Sequence, residues 1–184
     1  SETIRAKSYQ NIEVTGSNVG NSGGNITLNN NGTFTVKTAG IFTINADAII
    51  GPTGSQTVTV EGGAIFKTGD PDGFNGGSGI TSTSIRSDIE TITLSTNSTV
   101  EYSGDDQKIT LFNTPYYTNL KISGTGLKTL EHPNQIFVNE NLLVEKSKLF
   151  LNVSDIITIN KSVNIIDAVG EIELKNNAQL VQID

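Results

Sequence analysis

Three triplets, Ile26-Thr-Leu28, Phe34-Thr-Val36 and Phe42-Thr-Ile44, place apolar residues at every second position and recur about every eight residues. Side chains of a strand point alternately to its two sides, so each triplet reads as a short strand with one buried face. The same alternation returns at VTV (58–60), ITL (92–94) and IEL (172–174). Gly, Asn or Asp punctuates the intervals, as at Gly32, Gly40, Gly62, Asn97, Gly104 and Gly124. Helical periodicity is hard to find anywhere.

A longer spacing orders these strands. "LKIS" at Leu120, "LLVE" at Leu142 and "VNII" at Val163 form one series. "TLEH" at Thr129, "LFLN" at Leu149 and "IELK" at Ile172 form a second, and "IFVN" at Ile136, "ITIN" at Ile157 and "LVQI" at Leu180 a third. Each advances by roughly 20 to 23 residues, the step of a solenoid repeat. Three eight-residue steps give nearly the same length, and Thr33 and Thr57 start like strands about 24 residues apart. The expected fold is all-β, a parallel β-helix with three short strands per coil of about 20 to 24 residues. Leu28, Val36 and Ile44 then stand on three walls of one coil. Asn139, Asn152 and Asn160 close strands and are candidates for stacked corners. The competing architecture is an antiparallel β-sandwich, which also uses short strands and frequent turns.

Residues 1–184 read as one solenoid domain, expected to be a fragment of a larger protein because Met is absent even at position 1. Residues 69–88, "GDPDGFNGGSGITSTSIRSD", interrupt the pattern and are expected to form a loop excursion. The formal net charge of -7 disfavours nucleic acid, whose phosphates need basic stripes. No apolar run is long enough to insert in a membrane as a helix. Without cysteine there is no disulfide frame, thiolate nucleophile or cysteine metal site.

Residues 98–130, "STVEYSGDDQKITLFNTPYYTNLKISGTGLKTL", followed by "IFVNENLLVEKSKLFLN", carry a more specific pattern. Tyr116, Tyr117, Asn119, Leu120, Gly124, Lys128, Thr129, Leu130, Val138, Asn139, Asn141 and Leu142 fall at its positions, while Glu140 replaces a usual glycine. This stretch resembles the β-strand-repeat regions of large secreted surface proteins of Bacteroidetes-type bacteria, many of them type IX secretion cargo. The resemblance implies a right-handed parallel β-helix on the cell surface or in the medium, with other domains of the same large protein as partners. It implies no catalytic residue.

Chemistry-bearing residues are few. Asp70, Asp72 and Asn75 sit on the glycine-rich loop "GDPDGFNGG" and offer oxygen ligands of the kind calcium takes; a polar turn around Pro71 and Gly73 is the plainer reading. No other cofactor is expected. His132 is the sole histidine, and no nucleophile elbow precedes it. Asp88, Glu101, Asp105 and Asp106 are the carboxylates a polysaccharide hydrolase would draw on, and Arg5 and Arg86 the guanidinium groups a lyase would use. Of the adjacent Tyr116 and Tyr117, one is expected in the core and one exposed, a contact for surface glycans or proteins. The Thr-x-Thr units at 33, 57 and 91 read as outward β-branched residues rather than an ice-binding ladder. The expected function is a non-catalytic structural or adhesive module of a secreted or cell-surface bacterial protein. The second reading is a carbohydrate-binding or polysaccharide-processing β-helix.

Overall fold

The computed structural model describes residues 2–21, 23–51, 55–76, 82–86, 88–112, 114–132, 135–166, 170–175 and 177–183, with the side chain of His132 left aside. The described chain is all-β, without a helix, and winds into a β-solenoid of about 7 turns with coils of ~22 residues. Every strand pair is parallel, which rules out the antiparallel sandwich.

Three faces enclose the core. The first is one eight-stranded sheet: Glu2–Ile4, Val19–Asn21, Ile41–Ile44, Ile65–Thr68, Thr99–Tyr102, Asn119–Ile122, Asn141–Glu145 and Ser162–Ile166. The second holds Gln107–Thr110, Leu127–His132, Lys148–Leu151 and Glu171–Leu174. The third begins as Ser8–Val14, Ile26–Val36, Thr57–Val60 and Thr91–Leu94, and resumes as Gln135–Val138, Ile156–Ile159 and Gln179–Gln182. Between its two parts Tyr117 bridges to Val138, and the Thr118 hydroxyl donates to the Leu94 carbonyl at 3.2 Å.

The long strand Ile26–Val36 shows how the eight-residue step turns a corner. Its start pairs with Ile49–Ile50 and its end with Thr57–Val60, so it spans two faces. Gly32 lies at the bend, where a Cβ would stand 2.7 Å from the Asn29 carbonyl oxygen. Leu28, Val36 and Ile44 therefore do occupy three walls of one coil, all fully buried.

The registers follow the sequence series closely. Leu120 pairs with Leu142 and Leu142 with Val163; Ile136 pairs with Ile157 and Ile157 with Leu180; Thr33 pairs with Thr57. The second series is displaced by one residue at its first member. Lys128, not Thr129, is the partner of Leu149, and Leu149 pairs with Ile172. A lysine occupies the inward position there.

The core changes character along the axis. In the early coils an aromatic column runs Phe34, Phe42, Phe66, Phe74 and Tyr117, with centroids 4.8, 5.4, 5.2 and 6.2 Å apart, mostly edge to face. Such contacts add about 0.5–1.5 kcal/mol per pair beyond area burial. In the later coils the ladder is aliphatic: Leu142, Val144, Leu149, Leu151, Ile157 and Ile159. The last coil leaves inward positions open. Val144 is fully buried, while its register partner Ile165 is 51% exposed; Leu151 is buried and its partner Leu174 is 47% exposed.

Residues 69–88 do not simply loop away. Their two described arms are built into the second face. Ile85 bridges to both Ile49 and Asn75, so the returning arm inserts beneath the outgoing one and doubles the rung. Phe74 and Ile85 are fully buried, because each arm presents an apolar side chain to the column. Residues 77–81 and 87 of this segment lie outside the described residues.

Candidate functional site

The doubled rung carries the calcium-ligand candidates, and each has a separate engagement. Asp70 is buried, and its Oδ1 accepts from the Asp72 backbone N–H at 2.9 Å. Burial pushes its carboxyl up to about 6, against the pull of that hydrogen bond. The Ser82 side chain, and then Lys108 at 3.2 Å, hold the Asp72 carboxyl below its usual range. Asn75 is fully buried and spends both ends of its amide on Phe112: Oδ1 accepts from the backbone N–H at 3.0 Å and Nδ2 donates to the carbonyl. Among the described residues no group of three or more His, Asp or Glu side chains could hold a metal ion.

The carboxylates considered for hydrolysis are likewise dispersed. Asp105 accepts from the Thr125 hydroxyl, and Asp106 accepts from the Leu127 N–H at 2.7 Å; both cap a corner. Glu101 is buried on the first face, accepting from Ser123 Oγ at 2.7 Å between Lys67 at 3.1 Å and Lys121 at 3.8 Å. Asp88 is exposed beside the insertion. His132 ends the strand Leu127–His132, and its side chain lies outside the described residues.

Two residues that the alternation concealed organise the corner between first and second faces. Gln107 is buried; its Nε2 donates to the carbonyls of Thr68 and Asp70, each at 3.0 Å, and its Oε1 accepts from Gly104 N–H at 2.8 Å. Lys128 stacks on it in the next coil. Its Nζ is aimed at the carbonyls of Gly104 at 3.0 Å, Asp105 and Thr125. The turn that frames it needs Gly124 and Gly126, with φ of 78° and 70°; a Cβ on Gly124 would strike the Ser103 and Gly104 carbonyls. Burial lowers the Lys128 pKa to about 8, opposed by Asp106 and Asp105. Polar residues inside a strand turn carry the signal: Gln107 and Lys128 fall in phase with Ile109 and Leu130, which are inward.

The outward residues divide the faces sharply. On the first, Thr43, Lys67, Glu101 and Lys121 follow in register, and Lys121 reaches Glu145 at 3.0 Å. On the second, Lys108 joins Asp72 to Glu131 at 3.4 Å, and Lys148 contacts Glu171 at 3.5 Å and Glu173. Exposed pairs such as those of Lys108 and Lys148 contribute about 0–1 kcal/mol each, so they set surface character more than stability, whereas Glu101 is buried between its lysines.

The third face has such a ladder at its start, where Lys37, next after Val36, contacts Glu13 at 3.9 Å and Glu61 at 2.6 Å. Its outward positions from Thr33 onward are Thr33 and Thr35, Thr57 and Thr59, Thr91 and Thr93, then Gln135 and Phe137, Ile156 and Thr158, Gln179 and Val181. The threonines stack in register as two columns. Tyr116 lies beside Phe137, because Tyr117 and Val138 bridge next to them. Tyr117 is fully buried, its hydroxyl 2.7 Å from that of Tyr102, whereas Tyr116 is 37% and Phe137 46% exposed. The split between the two tyrosines follows the expected alternation; Phe137, between inward Ile136 and Val138, was open to the same reasoning.

Fold and faces together define a β-solenoid with two charge-laddered sides and a third whose outward strand positions are uncharged from Thr33 onward. No family model matches the chain, and no curated protein or solved structure is significantly similar to it.

Proposed function

We propose that this solenoid is a non-catalytic structural and adhesive module of a secreted or cell-surface bacterial protein, holding other domains of that protein away from the cell. The observation that carries the reading is the engagement of the candidate acids. Asp72, Glu101, Asp105 and Asp106 each serve a lysine, a hydroxyl or a backbone N–H of the rod; Asp72 and Asp106 line one open groove with Lys108, yet there the first is held by Ser82 and Lys108 and the second by the Leu127 N–H. The pattern at 98–142 that resembles Bacteroidetes-type surface repeats supports the bacterial surface and a type IX route in the same reading.

The test has two arms. Small-angle scattering of the purified chain is expected to give an elongated rod. Protease shaving of intact producing cells, with an antibody against this segment, is expected to release it without lysis. Hydrolysis or elimination activity on a polysaccharide panel, lost in the Asp72→Asn or Asp106→Asn variant, would sink the non-catalytic reading; a protease-protected intracellular location would sink the surface one.

A further inference from the structure

Some hydroxyls of the third face tie its coils together, Thr33 donating to Asn11 Oδ1 at 2.9 Å and Thr118 to the Leu94 carbonyl at 3.2 Å. From Thr33 to Val181 none of its outward strand positions bears a charge, although the chain as a whole carries -7. Its centre holds two exposed aromatic rings on adjacent rungs, Tyr116 and Phe137. Threonine hydroxyls precede them and Gln135 and Gln179, both exposed, flank or follow them, while Thr158 is buried between the rungs.

We propose that this face binds a neutral polysaccharide laid along the solenoid axis, with Tyr116 and Phe137 as stacking platforms. Three features select that ligand. Apolar ring faces of sugars stack on aromatic side chains, and exposed rings on a rigid scaffold lose little conformational entropy on binding. Parallel rungs repeat every 4.7–4.9 Å or so, close to the advance of one sugar unit along an extended chain, so successive rings of an axial glycan meet successive rungs. Hydroxyls and carboxamides supply neutral hydrogen-bond partners, and an anionic glycan would find no lysine or arginine among the outward strand positions to offset its charge. The inference rests on the adhesive reading and names what is adhered to.

The experiment is affinity electrophoresis of the purified chain in mixed-linkage β-glucan, xyloglucan and xylan, with pull-down on cellulose and chitin, and alginate as the anionic contrast. Retardation or pull-down by at least one neutral polymer and none by alginate is expected. Phe137→Ala and Tyr116→Ala should each weaken binding about tenfold or more, the usual consequence of deleting a central aromatic contact. Thr93→Lys should weaken it less, and Lys67→Ala, on the first face, not at all. Circular dichroism of every variant, and thermal melting of both aromatic variants, should match the parent, since both rings point outward. Absence of binding to every neutral polymer, or binding that both aromatic variants retain, overturns the proposal. So does concentration-dependent self-association that the aromatic variants abolish, because a second copy is then the occupant. Any of these results leaves the rod shape and surface location standing, so failure here is distinguishable from failure of the adhesive reading.

Discussion

Lys128 and Leu149 are register partners on neighbouring coils and both are fully buried, yet one ends in an ammonium group and the other in methyls. The difference follows from the doubled rung. Where residues 70–76 and 82–86 are wedged into the second face, the corner carbonyls of Thr68 and Asp70 face inward, and Gln107 supplies the donors they need. One coil on, the carbonyls of Gly104, Asp105 and Thr125 converge, and a lysine meets three acceptors at once. By the next coil Ser147 takes the Ser123 carbonyl at 2.7 Å, and the strand position itself is free to be leucine. The irregularity of the insertion is absorbed over two coils by side-chain donors, and the apolar ladder then resumes. A buried polar group is tolerated only when its partners are met, and here the backbone supplies them.

The sharpest way to break this comparison is to remove the ammonium. Lys128→Ala leaves three inward carbonyls without a donor and is expected to cost about 3 kcal/mol or more, read by urea denaturation at pH 7. Leu149→Ala, at the equivalent position, removes only packing and is expected to cost about 2–3 kcal/mol. Equal effects, or a neutral Lys128→Ala, would show that water replaces the lysine and that the two corners are alike. Titration sharpens the same contrast. The Lys128 pKa is lowered to about 8 in the fold from 10.5, so between those values the unfolded chain holds a proton the native chain lacks. Stability should therefore rise with pH between about 8 and 10.5, and Lys128→Met should flatten that rise.

This corner is also where the sequence was least legible. Coil length, parallel stacking and most registers could be read from apolar alternation, since Leu120, Leu142 and Val163 all bury themselves. At Lys128 the inward residue is charged, so the alternation keeps its phase but loses its apolar mark there, and the string beginning at Thr129 is one residue late. The doubled rung was hidden for a different reason. Its pairing of Ile85 with both Ile49 and Asn75 inverts chain order, and no local periodicity records a contact of that kind. The uncharged face was half legible. Its Thr-x-Thr units were visible, but that the charges of the other strands gather on two sides only emerges once the coils are in register.

Asp70 and Asp72 offer a second pair from the doubled rung, separated by burial. Burial raises the Asp70 carboxyl to about 6, with the Asp72 backbone N–H and Arg86 opposing that rise and the charges of Asp72 and Asp47 reinforcing it; Asp72, beside Ser82 and Lys108, moves the other way. The native chain thus binds an extra proton at Asp70 between its unfolded value near 3.8 and about 6, and this contribution to stability is lost as pH rises through that window. Asp70→Asn keeps an acceptor for the Asp72 N–H and should remove the loss, leaving the variant at least as stable as the parent at pH 7. A variant less stable than the parent at pH 7 and equal to it at pH 4 would assign the opposite sign to the site.

The corner asparagines supply the smallest contrast, between a continuous ladder and an isolated pair. Asn119 Oδ1 accepts from Asn141 Nδ2 at 2.8 Å, Asn141 Oδ1 accepts from Ser162 Oγ at 2.7 Å, and Asn119 donates to the Ser98 carbonyl at 3.0 Å. This chain is half-buried and runs through four coils. The stacked corner expected at Asn139 and Asn160 does form, with Nδ2 to Oδ1 at 3.1 Å, but it is exposed and ends there; Asn152 instead bonds locally, to Val153 N–H and through its own N–H to Asp155. Hydrogen bonds in a shielded row are stronger and their loss strands both neighbours, whereas an exposed pair exchanges readily with water. Asn141→Ala is accordingly expected to cost about 1–1.5 kcal/mol and Asn160→Ala about 0.5 kcal/mol or less in urea denaturation. If the two variants are equally mild, stacking at the corners is decoration, and the apolar ladders alone fix the register of the coils.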